Sequence, residues 1–187
     1  MASDVDIINA GLRKLGEQPI TSRTDQSPQA RIAHATYNAI RDALLRGTPW
    51  NFAIKRKSLA ADTTAPDWGY TRQFTMPADL LRLVSVNNAS DNEWRKEGGT
   101  IATDLDAPLQ ILYVARVSEN DMDVSFREAL AAKCAYEWAE SLSQTSTVGD
   151  QMFSLARNAL QLAKTADGQE DRQRKIEQNS WITERFF

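Results

Sequence analysis

The apolar positions of the chain change period twice. They first recur at Val5, Ile8, Leu12 and Leu15, the three-to-four spacing of a helix with one buried face. Ser3 stands where an N-cap belongs, with Asp6 three residues on as a short-armed capping box, and Gly16 supplies a stop that tolerates the left-handed conformation. A polar loop over residues 18–26 leads to Ser27-Pro28, a cap followed by proline at the first helical position. Ala33, Tyr37, Ile40 and Leu44 are the expected buried stripe of this second helix, which Gly47 closes. Two antiparallel helices are implied.

Gly47-Thr48-Pro49-Trp50-Asn51-Phe52-Ala53 marks the first change of period. Pro49 and the two aromatics Trp50 and Phe52, directly after a helix, read as a structural elbow. Beyond it the pattern alternates as in strands. Trp68, Tyr70, Arg72 and Phe74 stand at every-other positions, Pro77-Ala78-Asp79 reads as a turn, and residues 81–86 are a short apolar run. Gly98-Gly99, between Trp94 and Ile101, permits the positive φ of a tight hairpin. Residues 109–115 are the most strand-like of all, so an antiparallel β unit is expected from about residue 50 to 117.

Helical spacing then returns. Asp123 or Ser125 opens a third helix, Ser125 and Glu128 having capping-box spacing, with Ala131, Cys134, Ala135, Trp138 and Leu142 along one face. Residues 143–147 read as a break, after which Met152, Leu155, Ala156, Ala159, Leu162 and Ala163 define the stripe of a fourth helix. The expected fold class is α+β: a four-helix-type bundle of residues 1–47 and 123–168, an inserted β-rich unit of residues 48–122, and an extended C-terminal arm of residues 169–187. The arm is almost wholly polar until it ends Trp181-Ile182-Thr183-Glu184-Arg185-Phe186-Phe187. Large aromatics beyond a polar spacer are favoured anchors at protein interfaces. Such a tail either docks on a partner, folds back on its own bundle or belongs to a longer fourth helix.

Composition narrows the function classes. With 187 residues, 42% hydrophobic and 25% charged, the chain can bury one sizeable core in one or at most two domains. A net charge of −3 and a pI near 5.3 argue against a surface that holds nucleic acid by counterion release. No apolar run approaches the ~20 residues of a membrane-spanning helix, and the opening residues lack the regions of a signal peptide, so a cytoplasmic assembly with no membrane partner is expected. The single cysteine, Cys134, cannot make an internal disulfide and sits on a buried stripe as an apolar filler.

The search for chemistry mostly returns structural readings. His34 is the only histidine and lies on a helix without a nucleophile motif, which makes it a surface or interhelical residue. One His and one Cys make none of the usual zinc sets, and Asp104, Asp106, Asp121 and Asp123 do not match a calcium loop. No metal, cofactor or catalytic residue is expected. The pairs Glu137 with Glu140 and Asp121 with Asp123 leave a carboxylate-based cell-wall hydrolase as the alternative, although paired acids are commonly solvated features. Arg41, Arg46, Lys55, Arg56 and Lys57 cluster around the elbow, either as a surface for phosphate or an acidic partner or as a salt-bridged edge.

One family carries these features in the same order. Leu15-Gly16-Glu17-Gln18-Pro19, then Ala35-x-Tyr37-x-x-x-Arg41-Asp42-x-Leu44-Leu45, Pro49-Trp50-Asn51-Phe52-Ala53, Trp68-x-Tyr70 and Pro77-x-Asp79-x-Leu81-Arg82 resemble the phage head-to-tail adaptors of the tail tubular protein A type. The resemblance covers most of the first half of the chain and, more loosely, the later helices. It implies a non-enzymatic protein of the virion neck, assembled in the host cytoplasm as a homo-oligomeric ring of twelve copies. That ring sits between the portal protein and the tail nozzle or tail completion protein, and double-stranded DNA passes through it without specific binding. On this resemblance Trp181, Ile182, Arg185, Phe186 and Phe187 are the portal-docking residues of the arm, and Pro49, Trp50 and Phe52 hold the two parts of the subunit at a fixed angle.

Overall fold

The computed structural model describes residues 3–87, 93–142 and 146–170. These form four α-helices and two small antiparallel sheets. Helix α1 (Asp4–Lys14) is capped by Ser3, whose hydroxyl accepts from the amide of Asp6 while the Asp6 carboxylate accepts from the amide of Ser3. Its far end closes as a Schellman motif: Glu17 N donates to Leu12 O at 3.0 Å, Gly16 N donates to Arg13 O at 3.1 Å, and Gly16 takes φ +75°. Helix α2 (Pro28–Gly47) begins at the Ser27 cap. Its buried positions are Ala30, Ala33, Tyr37 and Leu45, while Ile40 and Leu44 are only partly covered.

A single 3₁₀ turn, Asn51–Ala53, leads into β1 (Ile54–Leu59). Strands β2 (Arg72–Thr75), β3 (Leu80–Val86), β4 (Trp94–Glu97), β5 (Thr100–Thr103) and β6 (Leu109–Ala115) follow. The antiparallel strands form two sheets, ordered β1-β6-β3 and β2-β5-β4. Strand β6 is central in the first, and five of its seven residues are buried, in keeping with an apolar sequence broken only by the exposed Gln110. Strands β4 and β5 are joined by the two-residue turn Gly98-Gly99, with Gly98 at φ +55°. Trp68 and Tyr70 lie outside the sheets, contrary to the alternation that runs on into Phe74. Gly69 at φ +91° turns the chain there, so the strand starts only at Arg72 and leaves Trp68 88% exposed.

Helix α3 (Val124–Leu142) is the spine of the bundle. It packs against α1, α2 and α4 (Ser146–Glu170), and nine of its residues from Phe126 to Ala139 are buried. Gly11 lets α1 approach it closely: a Cβ there would lie 2.9 Å from the carbonyl oxygen of Ala131 and 3.4 Å from Cys134 Cβ. Trp138 Nε1 donates to Thr36 Oγ1 at 2.8 Å, which joins α3 to α2. On α4, Ala156 and Ala163 face the core, whereas Leu155 and Leu162 of the expected stripe are 37% and 69% exposed. Its apolar arc is wider than the surface its neighbours cover.

Candidate functional site

Four elements meet at the three residues that follow Pro49. Thr48 is extended at φ −138° and ψ 142°, Pro49 is exposed, and the chain then tightens into the 3₁₀ turn. Trp50 is 1% exposed, and its Nε1 donates to the carbonyl of Leu44 at 3.1 Å. Leu44 lies in the last turn of α2, where carbonyls lack intrahelical donors, so the indole both fills the core and caps the helix. Its ring meets Phe126 of α3 edge-on, with centroids 4.9 Å apart and planes at 71°. Phe52 is half-buried and meets the same Phe126 at 5.1 Å and 61°.

Asn51, between the two aromatics, binds α4 at Asp167. Its backbone amide donates to Asp167 Oδ1 at 2.8 Å, and its Nδ2 donates to the Asp167 carbonyl at 2.8 Å. The elbow therefore ties together the end of α2, Asp167 of α4, the start of α3 and the start of β1. Glu170, the last described residue, is three residues beyond Asp167, about 4.5 Å along the helix axis. Trp181, Ile182, Arg185, Phe186 and Phe187 lie outside the described residues.

The basic residues around the elbow do not form one surface. Arg41 Nη1 donates to Glu119 Oε1 at 3.0 Å and its Nε donates to Asp42 Oδ1 at 3.0 Å, while Arg116 donates to the other Asp42 oxygen at 2.9 and 2.7 Å. Burial opposes the charge of Arg41, but the bonds to Glu119 and Asp42 outweigh it and hold its pKa above the usual value. Burial, followed by the charge of Glu119, pushes the Tyr37 phenol up; its hydroxyl donates to Glu119 Oε1 at 3.3 Å. Arg46 donates to the carbonyl of Leu81. Lys55 Nζ donates to Asp79 Oδ2 at 2.9 Å, and Tyr113 Oη donates to the other Asp79 oxygen at 3.2 Å. Arg56 and Lys57 are exposed on β1, beside an open groove of about 720 Å³ over the β1-β6-β3 sheet.

The acids singled out for hydrolysis are dispersed as well. Glu137 pairs with Lys133 at 2.5 Å on α3, and Glu140 is exposed one turn on. Asp121 accepts from Ser118 Oγ at 2.8 Å. Asp123 accepts from the amide and hydroxyl of Ser125 at the start of α3, and the hydroxyl bond in particular holds its carboxyl below the ordinary range. His34 is exposed on α2, and burial pushes the Cys134 thiol up. No helix among the described residues is long and apolar enough to cross a membrane.

Sequence reasoning singled out the elbow without its partners. Phe126 and Asp167 complete it from positions 74 and 116 residues after Phe52 and Asn51, and no local pattern signals such a pairing. A scan against protein-family models finds no match for this chain, and neither does a search of curated proteins. The architecture is mixed α+β, with four helices and two small antiparallel sheets.

Proposed function

We propose that this chain is a structural head-to-tail adaptor of a tailed phage, a subunit of a ring that joins the portal to the tail and lets DNA pass through its lumen. The clasp between Asn51 and Asp167 carries the reading. A fitting between two larger assemblies must keep its helical and β parts at one angle, and an arm that docks elsewhere needs a fixed root. The elbow supports both requirements within three residues, because Trp50 and Phe52 fasten the chain to α2 and α3 immediately before β1 and Asn51 binds α4 at Asp167, close to where the arm begins in sequence. The order of motifs shared with the adaptor family supports the same conclusion.

In this reading Trp181, Ile182, Arg185, Phe186 and Phe187 anchor the arm on the portal protein. Twelve copies form the ring, and a tail nozzle or tail completion protein meets its other side. The charge balance suits such a channel: a lumen for duplex DNA should guide a polyanion without gripping it, and a net charge of −3 per copy supplies no counterion-release term of consequence. Mixing the chain with purified portal rings of the same phage tests the proposal. Removal of residues 180–187 is expected to abolish docking with the helical circular dichroism unchanged. Docking that survives the deletion would take the arm out of the mechanism.

A further inference from the structure

Two surfaces fit each other, one in the loop between β1 and β2 and one on the helical side. Trp68 is 88% exposed in the loop between β1 and β2, and exposed Asp67 precedes it. The loop is pinned at both ends. Asp62 accepts from the Thr75 amide at 3.2 Å and from its hydroxyl at 2.9 Å, and the Thr71 amide donates to Asp104 Oδ1 at 2.8 Å. An aromatic side chain held out on a pinned loop has the form of an interface anchor, since little freedom is lost when it is buried.

On the helical side, α2, α3 and α4 leave a cavity of about 220 Å³ lined by Leu44, Ala129, Tyr136, Phe153, Ala156 and Leu160. Phe153 is 51% exposed at its mouth, with its ring 5.5 Å from that of Tyr136. An apolar cavity of ~150 Å³ admits a benzene molecule, so this one is wide enough for an indole. Lys133 and Arg157 complete the lining. Lys133 is paired with Glu137, while Arg157 and Asp67 make no ion pair among the described residues.

We infer that these are the two halves of one contact between copies of this chain: Trp68 of one copy seats against Tyr136 and Phe153 of the next, with Asp67 facing Arg157. Size, apolar character and opposite charge all match, and each copy carries one of each half. The contact joins two different surfaces, as a closed ring of more than two copies requires. The inference rests on the ring part of the proposal above and names the faces that build it.

Cross-linking tests it in the full chain. Ala65→Cys and Ser154→Cys variants, exposed positions beside Trp68 and beside the cavity that leave both halves of the contact intact, are mixed and oxidised at high concentration and are expected to give the hetero-linked dimer in excess of a random mixture; the native Cys134 is buried and does not compete. Trp68→Ala, which removes an exposed side chain and so leaves folding intact, is expected to weaken self-association about thirtyfold in sedimentation. Asp67→Arg should weaken it as well, and Asp67→Arg with Arg157→Asp should restore it. Random cross-linking, or self-association unchanged by Trp68→Ala, would overturn the contact. If the chain still assembles on portal rings in that case, the adaptor reading survives. If the cross-link forms but nothing assembles on a portal, the contact stands and the adaptor reading falls.

Discussion

Replacing Trp50 by alanine removes the centre of the elbow, and its cost can be worked from the geometry. The side chain is 1% exposed, touches Phe126 edge-on and donates its only polar hydrogen to Leu44. Large-to-small substitutions of buried Trp or Phe cost about 3–5 kcal/mol, which combines the lost transfer energy with the cavity left behind. For a chain of this length each kcal/mol moves the melting temperature by about 2–4 °C, so a fall of roughly 6–20 °C is expected. Trp50→Phe keeps most of the packing but leaves the Leu44 carbonyl without its donor, at about 1–2 kcal/mol. Trp68→Ala is the internal control: the same residue type at 88% exposure should change stability by less than ~0.5 kcal/mol. Urea unfolding followed by circular dichroism measures all three with the slope as a check. A Trp50→Ala loss below about 1 kcal/mol, or an equal loss for Trp68→Ala, would refute the elbow as a packed corner.

Three further outcomes are expected. Gly11→Ala should destabilise by about 1–3 kcal/mol in urea, because the new methyl meets the Ala131 carbonyl at 2.9 Å, whereas Gly149→Ala, with nothing within 4 Å, should stabilise α4 by about 0.5–1 kcal/mol. Asp167→Ala should cost about 0.5–1.5 kcal/mol and speed hydrogen exchange at the Asn51 amide, which loses its acceptor. Partial burial alone would raise the Asp79 pKa, but the hydrogen bond and charge of Lys55 and the bond from Tyr113 outweigh it and hold the folded value below the ordinary 3.8. Its contribution is therefore fully present above that value and lost as pH falls through the lower folded one, so the stability gap between the native chain and Asp79→Asn should be widest above pH 4 and narrow below it.

Local signals carried the parts of the fold that depend on neighbours in sequence. The Ser3 and Ser27 caps, the Gly16 stop and the Gly98-Gly99 hairpin each involve groups within five residues, and all four are in the structure. Pairings across the chain left no such trace. That β6 accepts β1 on one side and β3 on the other, and that β2, β4 and β5 form a separate sheet, depends on contacts no period encodes. Aromatic alternation at Trp68 and Tyr70 imitates a strand, and only the backbone at Gly69 shows that it is a loop. Two of the five clustered basic residues have acid partners that the local sequence does not show: Glu119 lies 78 residues from Arg41, and Asp79 lies 24 from Lys55. On α4 the apolar pattern correctly marks a helix but not how much of it is covered, which is why Leu155 and Leu162 face outward.

The same logic applies to the candidate site. Pro49, Trp50 and Phe52 stand out in sequence because proline and aromatics after a helix stop are unusual chemistry in a short span. Its partners across the chain are Phe126 and Asp167, and those are found only by folding the chain.

Native mass of the chain mixed with a purified portal ring tests the adaptor account most directly. The account requires a single complex of one portal ring with a ring of twelve copies of this chain, lost when residues 180–187 are removed. A chain that leaves the portal ring at its own mass at every mixing ratio would contradict it.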